Sequence, residues 1–199
     1  IATKAHELFL RYGIRSISMD EIAAHLGISK KTIYQFYEDK DSLVEAVIDI
    51  EIQMNMKDCS LCLEQSDNAI HEVFLAVDMV QEMLKGMNPS IIFDLEKYHP
   101  KAFRKMNEHK NDFFSRITKE NIERGMREGL YRSDINADIM SRFRVGTMFM
   151  ILAPDMLLSK YNPAVILREM TENFLFGMAT PKGTELIQQY KQQRLKATQ

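Results

Sequence analysis

Apolar residues recur at spacings of three and four along almost the whole of this 199-residue chain. That spacing places them on one face of a helix, whereas a half-buried strand shows strict apolar-polar alternation, which the chain nowhere sustains. Three of the five prolines follow a residue that can cap a helix, in Asn88-Pro89, Asn162-Pro163 and Thr180-Pro181. The sequence therefore predicts an all-α fold with about nine or ten helices.

The composition is typical of a soluble globular protein, with 45% hydrophobic residues, 27% charged residues and a formal net charge of -2. The sequence has neither the roughly 18 uncharged apolar residues of a membrane span nor a basic-then-apolar secretory start, so we expect a cytoplasmic protein. The first residue is Ile1 rather than Met, so we expect further residues before it. Fourteen methionines favour adaptable packing, which suits a ligand pocket but also an ordinary core.

The cysteines and histidines form no recognisable catalytic or metal-binding pattern. Cys59 and Cys62 lie in one predicted helix without the further ligands of a zinc site, so we interpret them as small buried side chains. The five histidines fall on different predicted helices, which favours surface or capping positions. A nucleophile elbow, a glycine-rich phosphate loop and a His-Glu-x-x-His motif are also absent from the sequence, so no catalytic residue, metal or cofactor is predicted.

The N-terminal residues carry the signals of a helix-turn-helix, in which two short helices are joined by a tight turn. Ser18 and Glu21 have the spacing of a capping box and open a helix that Gly27 ends. Ser29 caps the next helix, which we predict to run from Lys30 to about Tyr37. A long helix follows, with an apolar stripe that carries it to about residue 60.

These signals belong to an ordered set spread over the first 47 residues or so. The set consists of Ala5-His6-Glu7-Leu8-Phe9, Tyr12-Gly13, Met19-Asp20-Glu21-Ile22-Ala23, Leu26-Gly27-Ile28-Ser29-Lys30-Lys31-Thr32-Ile33-Tyr34 and Lys40-Asp41-Ser42-Leu43. In this order and spacing the N-terminal quarter resembles the TetR/AcrR family of transcriptional regulators, while the remainder resembles it only in helical plan. The resemblance implies a three-helix DNA-binding domain, placed at residues 1–45, and a helical ligand-binding and dimerisation domain at residues 46–199.

A recognition helix enters the major groove, so its outer face needs groups that bind base edges and phosphates. Helical spacing turns Ile33 and Phe36 inward. Gln35 suits the paired hydrogen-bonding atoms of adenine, and the Thr32 methyl suits a thymine methyl. Residues 1–40 contain six basic against five acidic residues, so a basic surface must be local. We predict phosphate contacts from Ser18, Lys30, Lys31, Tyr37 and Lys40, and the resemblance implies that Tyr34 also reaches the DNA.

The resemblance also implies a homodimer that binds a palindromic or nearly palindromic double-stranded operator and responds to an unidentified small molecule. We expect apolar and aromatic side chains of the central helices to line its pocket, although such residues more often form plain core. The pocket candidates are Phe74, Val77, Ile92, Phe93, Tyr98, Phe103, Met106, Phe113 and Phe114.

Two segments, residues 145–153 and 174–179, are apolar on nearly every face. They fit a four-helix interface between two copies, although they also fit the central helices of a monomer. The interface candidates are Gly146, Phe149, Met150, Phe174, Gly177 and Met178.

Other functional classes remain open from the sequence. An all-helical interaction or scaffold protein would use the same amphipathic helices, but it has no need of the polar face between Lys30 and Lys40. A small-molecule enzyme would need catalytic groups that spacing brings together. Among regulators the resemblance favours a repressor over an activator. Blocking a promoter needs only DNA binding, whereas activation also needs a contact with polymerase.

Overall fold

The structure, a computed structural model, describes residues 1–151 and 161–197. Within these residues it contains α-helices, one π-helical segment and no β-strand, which confirms the predicted all-α fold. The last two residues of the apolar segment predicted at 145–153 lie outside the described residues. The helices are α1 (Ala2–Tyr12), α2 (Met19–Leu26), α3 (Lys30–Tyr34), α4 (Lys40–Gln65), α5 (Ala69–Gly86), α6 (Ile91–Tyr98), α7 (Pro100–His109), α8 (Ser115–Arg127), α9 (Ala137–Met150), α10 (Pro163–Met178) and α11 (Pro181–Ala197).

The chain divides into two compact units. Unit one consists of residues 1–57 and 85–109, and unit two consists of residues 58–84 and 110–199. Helices α4 and α5 each contribute residues to both units, so the compact units do not follow a single cut in the sequence. The predicted division at residue 45 concerns function and stays a prediction.

The core of unit one is built from the apolar faces of α1 to α4 together with α6 and α7. Ile22, Ile33 and Leu43 come from α2, α3 and α4 in turn and are fully buried. Each such side chain contributes about 1.5–3 kcal/mol on burial. Leu95 and Ala102, from α6 and α7, complete the same core. The short N-terminal helices are therefore held in place partly by residues that lie far along the chain.

Helix α4 extends past the predicted end near residue 60 and reaches Gln65. Leu43 and Val47 of its apolar stripe are buried, whereas Ile50 is half-buried and Met54 is exposed. The stripe predicted from helical spacing is therefore buried only over its first half.

The proline pattern marks most helix starts correctly. Pro100, Pro163 and Pro181 are each the first residue of a helix, as predicted. The pair Asn88-Pro89 is the exception, because the side-chain oxygen of Asn88 accepts the N–H of Ser90 at 2.9 Å within a turn. Helix α6 consequently begins only after that turn.

The core of unit two surrounds the buried side chain of Tyr131, which follows α8. Gly125 lies so close to this ring that a Cβ at that position would collide with it. The chain from Pro100 to Arg127 is helical throughout, but a π-helical segment at Lys110–Phe114 separates α7 from α8. No sequence signal indicated this division.

Candidate nucleic-acid interface

Helices α2 and α3 form the predicted helix-turn-helix, with both caps in place. The Ser18 hydroxyl accepts the Glu21 N–H at 3.2 Å, and the Glu21 carboxylate accepts the Ser18 N–H at 2.6 Å. Gly27 ends α2 with a φ of 64°, in the left-handed region that glycine adopts without strain. The Ser29 hydroxyl then accepts the Thr32 N–H at 3.1 Å. The capping predictions for both helices are confirmed.

Helix α3 is shorter than predicted, because it ends at Tyr34 instead of Tyr37. Beyond Tyr34 the chain tightens, and the N–H groups of Phe36 and Tyr37 both donate to the carbonyl of Ile33 at 3.0 Å. Side chains after Tyr34 therefore no longer follow the spacing of a regular helix.

This early end reverses the predicted directions of two aromatic side chains. Phe36, predicted to point inward, is 69% exposed. Tyr37, predicted on the DNA side, is half-buried and packs against the core of unit one. Ile33 is fully buried, as predicted. The inward prediction for Phe36 is wrong, because it assumed that helical spacing continued for another turn.

Four of the predicted DNA-binding side chains do share an exposed surface on and just after α3. Lys30, Lys31, Tyr34 and Gln35 are all exposed. The Lys30 amine donates to the carboxylate of Asp20 at 2.8 Å and lies 6.0 Å from the centre of the Tyr34 ring. We call Lys30, Lys31, Tyr34, Gln35 and Phe36 the reading face.

Of the other four predicted contacts, Tyr37 packs against the core, and the remaining three are engaged within unit one. The Lys40 amine donates to the carbonyl of Ile14 at 2.6 Å, and burial lowers the pKa of this amine. The Ser18 hydroxyl donates to the carboxylate of Glu21 at 2.7 Å. Half-buried Thr32 shares a hydrogen bond of 2.8 Å with the hydroxyl of Ser29. These side chains must leave an internal partner, or share it, before they contact DNA.

Residues of α6 that sequence reasoning missed bind the segment between α1 and α2. The buried carboxylate of Asp94 accepts the Arg15 N–H at 3.1 Å, and the Arg15 guanidinium donates to the Tyr98 hydroxyl at 3.2 Å. An aspartate in the apolar run Ile91–Tyr98 was the only sequence signal for this contact. These two hydrogen bonds connect the loop between α1 and α2 to α6.

Two histidines are buried in unit one: His99 occupies a capping position, at the C-terminal end of α6, as expected from the sequence, whereas His6 lies within α1, contrary to that expectation. His6 Nε2 lies 2.7 Å from a carboxylate oxygen of Glu51, and His99 Nδ1 lies 2.6 Å from one of Asp41. Both carboxylates belong to α4. Each histidine could be buried because a carboxylate far along the chain pairs with it.

The predicted pocket residues fall into two groups. In unit one, Ile92, Phe103 and Met106 pack against the core, whereas Phe93 and Tyr98 are exposed and contact each other edge to face. In unit two, Phe74 and Val77 are buried in two separate clusters, and Phe113 contacts Phe114 edge to face. The prediction that all nine line one pocket stays untested.

Two clefts open on the surface of unit two. One, of about 350 Å³, lies between α5 and α11 and includes Phe74, together with His71 stacked on Tyr190 at 4.9 Å. The other, of about 470 Å³, includes Phe113 and the α9 residues Asp138 and Arg142. Each cleft therefore touches one predicted pocket residue.

The predicted dimer residues also separate into exposed and buried sets. Gly146, Met150 and Gly177 are exposed and Phe149 is half-buried, but Phe174 and Met178 belong to the core of unit two. These two buried side chains are not available to a second copy. Large apolar side chains do remain exposed on α9 and α10, namely Ile139, Phe143, Met150, Val165 and Phe176.

Cys59 and Cys62 are free and half-buried. Burial raises the pKa of the Cys59 thiol to about 12, so it stays protonated near neutral pH. No group of three or more metal-binding side chains occurs among the described residues, and no helix in them is long and apolar enough to cross a membrane.

Residues 1–47 match the family model described as "Bacterial regulatory proteins, tetR family". An uncharacterised HTH-type transcriptional regulator of Bacillus subtilis, YvaF, is 33% identical over 89 residues, which span 44% of this chain and 47% of that relative. A second from the same organism, YdgC, is 24% identical over 186 residues, covering 92% of this chain and 91% of that protein. The family model thus covers the helix-turn-helix, while the weaker match to YdgC extends over most of the chain.

Solved structures share the fold at low sequence identity. Regulatory protein TetR from Rhodobacter sphaeroides has a TM-score of 0.73 at 16% identity, covering 89% of this chain and 96% of that one. FadR from Bacillus subtilis, solved in complex with stearoyl-CoA, has a TM-score of 0.66 at 15% identity, covering 89% and 97%. At such identities the likeness concerns the arrangement of helices alone.

Proposed function

We propose that this chain, whose residues 1–47 match the model of the tetR family of bacterial regulatory proteins, is a transcriptional repressor of that family, and that a small molecule releases it from a palindromic operator. Residues 1–45 bind the DNA, and residues 46–199 bind the effector and a second copy of the chain. The observation that carries the proposal is the reading face, because five exposed polar and aromatic side chains lie on and just after a capped helix whose inner side is buried.

The side chains of the reading face have different tasks. Gln35 donates to and accepts from the edge of an adenine, while exposed Tyr34 and Phe36 make contacts with bases or sugars. Lys31 binds phosphate, and Lys30 does so when it exchanges Asp20 for the DNA backbone. The engaged or half-buried residues Ser18, Thr32, Tyr37 and Lys40 chiefly support this face, and their direct contacts with DNA are secondary.

Dimerisation uses the exposed apolar residues of α9 and α10. Ile139, Phe143 and Met150 recur at spacings of four and seven, which places them along one face of α9, and exposed Gly146 lies between the last two. Phe176 and Gly177 extend this surface on α10. A symmetric pair of such surfaces forms a four-helix interface and presents two reading faces to half-sites about one helical turn, or roughly 34 Å, apart.

Release requires an effector that binds more tightly to a conformation with the wrong separation of the two reading faces. A coupling free energy of about 1–3 kcal/mol, or roughly a 5- to 150-fold loss of affinity, is typical. The stearoyl-CoA complex of FadR supports a ligand-responsive helical unit in a protein of this fold. Repression needs no more than occupancy of the promoter. The proposed role places the protein in the cytoplasm and requires no catalytic activity of it.

The test begins with selection of double-stranded DNA from a random pool by the full-length protein. Anisotropy titrations of the selected DNA between about 50 and 200 mM salt should show a steep fall in affinity, because bound lysines release counterions from phosphates. Lys31→Ala should lower the salt dependence by about one counterion for every phosphate contact that is lost. Lys57→Ala removes the same charge from an exposed position of α4 outside the reading face and should change nothing.

Failure to select any sequence, together with binding that is independent of salt, would contradict the proposal and favour an interaction or scaffold protein. If the Lys57 variant weakened binding as much as the Lys31 variant, the reading face would be misplaced.

A further inference from the structure

Arg144, on α9, is a positively charged side chain buried inside unit two, with only 4% of its surface exposed. Its Nη2 donates to the hydroxyl of Thr171 at 2.8 Å, and its guanidinium lies 5.2 Å from the centre of the Phe174 ring. Its Nη1 is also buried but has no acceptor among residues 1–151 and 161–197. One end of a buried cation is therefore left without a partner in the described chain.

Two other arginines of unit two, both half-buried, are each paired with a carboxylate. Arg124 is half-buried and binds both Glu128, at 2.7 Å, and Glu72, at 3.1 Å. Half-buried Arg194 forms an ion pair with Asp78. Arg144 is more deeply buried than either, and its polar partner among the described residues is a neutral hydroxyl.

This arrangement is unfavourable for folding alone. Burial lowers the pKa of the Arg144 guanidinium to about 10, because the charged form has lost its contact with water. A buried cation without a counter-charge is destabilising, and an apolar side chain of similar length avoids that penalty. Costly buried charges and unsatisfied donors of this kind are concentrated at functional sites.

We propose that Arg144 binds the carboxylate of an otherwise apolar effector inside unit two. The proposal rests on the ligand response proposed above. A guanidinium matches a carboxylate in shape and hydrogen-bonding geometry, and one negative charge neutralises it, whereas a doubly charged phosphate would leave an excess charge buried. Thr171 supplies a second polar group, and Phe174 supplies an apolar wall beside it.

The position of Arg144 favours a small molecule over a second copy of the chain. Ile139, Phe143 and Met150 mark the exposed face of α9, whereas Arg144 lies on its buried side. A partner docked on the exposed face would not reach the guanidinium. Because Nη1 is tightly enclosed, binding requires neighbouring side chains to move. Half-buried Met148, one turn further along the same face, is unbranched and re-packs readily.

The experiment titrates full-length protein, without DNA, with apolar carboxylates of different shapes, namely decanoate, cholate and 1-naphthoate. The uncharged analogue 1-decanol and the tail-free anion acetate serve as controls. Calorimetry and thermal unfolding should show that at least one apolar carboxylate binds and raises Tm, and that 1-decanol and acetate do not. Arg144→Met should weaken that carboxylate by at least about tenfold, the loss expected for removing a charged hydrogen-bond donor.

Arg142→Met is the matched control, because Arg142 lies on the same helix but is exposed and paired with Asp138. It should bind the carboxylate as the unaltered protein does. If Arg144→Met does not fold, Arg144→Lys replaces it, since lysine keeps the charge but loses the planar fork and should also bind more weakly.

Two results would overturn the inference: no carboxylate of the panel binds, or the Arg144 variant binds as tightly as the Arg142 variant. Protein that binds its selected DNA but none of these carboxylates would overturn this inference alone. Protein that binds a carboxylate through Arg144 but no DNA would instead overturn the proposed function.

Discussion

Unit one and unit two differ in how they treat buried polar side chains. In unit one, His6, His99 and Asp94 are buried, and each has a partner from a different part of the chain within 3.1 Å. In unit two, Arg144 is buried, and its Nη1 has no acceptor in the described residues. Networks with every member satisfied make a structure rigid, whereas an unsatisfied group can gain a partner on binding.

This difference agrees with a division of labour between the units. A reading face needs a fixed platform, because a base contact depends on a hydrogen bond of defined length and direction. A sensor needs a group whose free energy changes when a ligand arrives. The paired side chains of His6, His99 and Asp94 in unit one fit the first requirement, and Arg144 in unit two fits the second.

The largest expected effect comes from comparing a buried residue of α3 with an exposed residue just after it. Ile33→Ala should lower the free energy of unfolding by about 2–5 kcal/mol, because it leaves a cavity in the core of unit one. Phe36→Ala should change it by less than about 0.5 kcal/mol, since the ring is exposed, but should weaken binding to the selected DNA. Urea denaturation measures the first quantity and anisotropy the second. Similar losses of stability in both variants would mean that Phe36 points inward.

A smaller effect compares the buried charges of the two units directly. Asp94→Ala should destabilise the protein by about 1–3 kcal/mol, because the Arg15 N–H loses its acceptor. Glu96→Ala, at an exposed position two residues later on α6, is the control and should be neutral. Arg144→Met should leave stability unchanged or increase it. If Arg144→Met lowered the free energy of unfolding as much as Asp94→Ala does, the proposed difference between the units would be contradicted.

The smallest effect concerns the cysteines of unit two. If unit two responds to a ligand through Arg144 and not to oxidation through its cysteines, the Cys59 thiol should react slowly with alkylating reagents. Its pKa is raised to about 12 by burial, so the reactive thiolate is scarce at pH 8 and becomes abundant only as the pH approaches that value. Mass spectrometry after brief treatment with iodoacetamide at pH 8 should find Cys59 largely unmodified. Rapid modification, or a bond to Cys62, would indicate a redox role instead.

The features that sequence reasoning predicted correctly are those specified by neighbouring residues. The capping box of Ser18 and Glu21, the glycine that ends α2 and the cap at Ser29 each involve residues within four positions of one another. Their geometry is therefore specified locally. The match of residues 1–47 to a family model reflects the same concentration of local signals.

The errors arose where distant residues or a break in helical spacing decide the structure. Phe36 was predicted to point inward because no neighbouring residue indicated that α3 would end at Tyr34. The bond from Lys40 to the carbonyl of Ile14 joins residues 26 positions apart, and that from Arg15 to Asp94 joins residues 79 apart. Phe174 and Met178 were assigned to an interface because an apolar segment does not reveal which of its faces the chain itself covers.

The most direct test of the reading face repeats the DNA selection with Gln35→Ala and compares the preferred sequences base by base. The side chain of Gln35 is exposed, so the variant should fold normally. We predict that its preference is lost at one position of each half-site, with the rest of the sequence unchanged. An identical preference in the variant and the unaltered protein would show that this face does not read the bases.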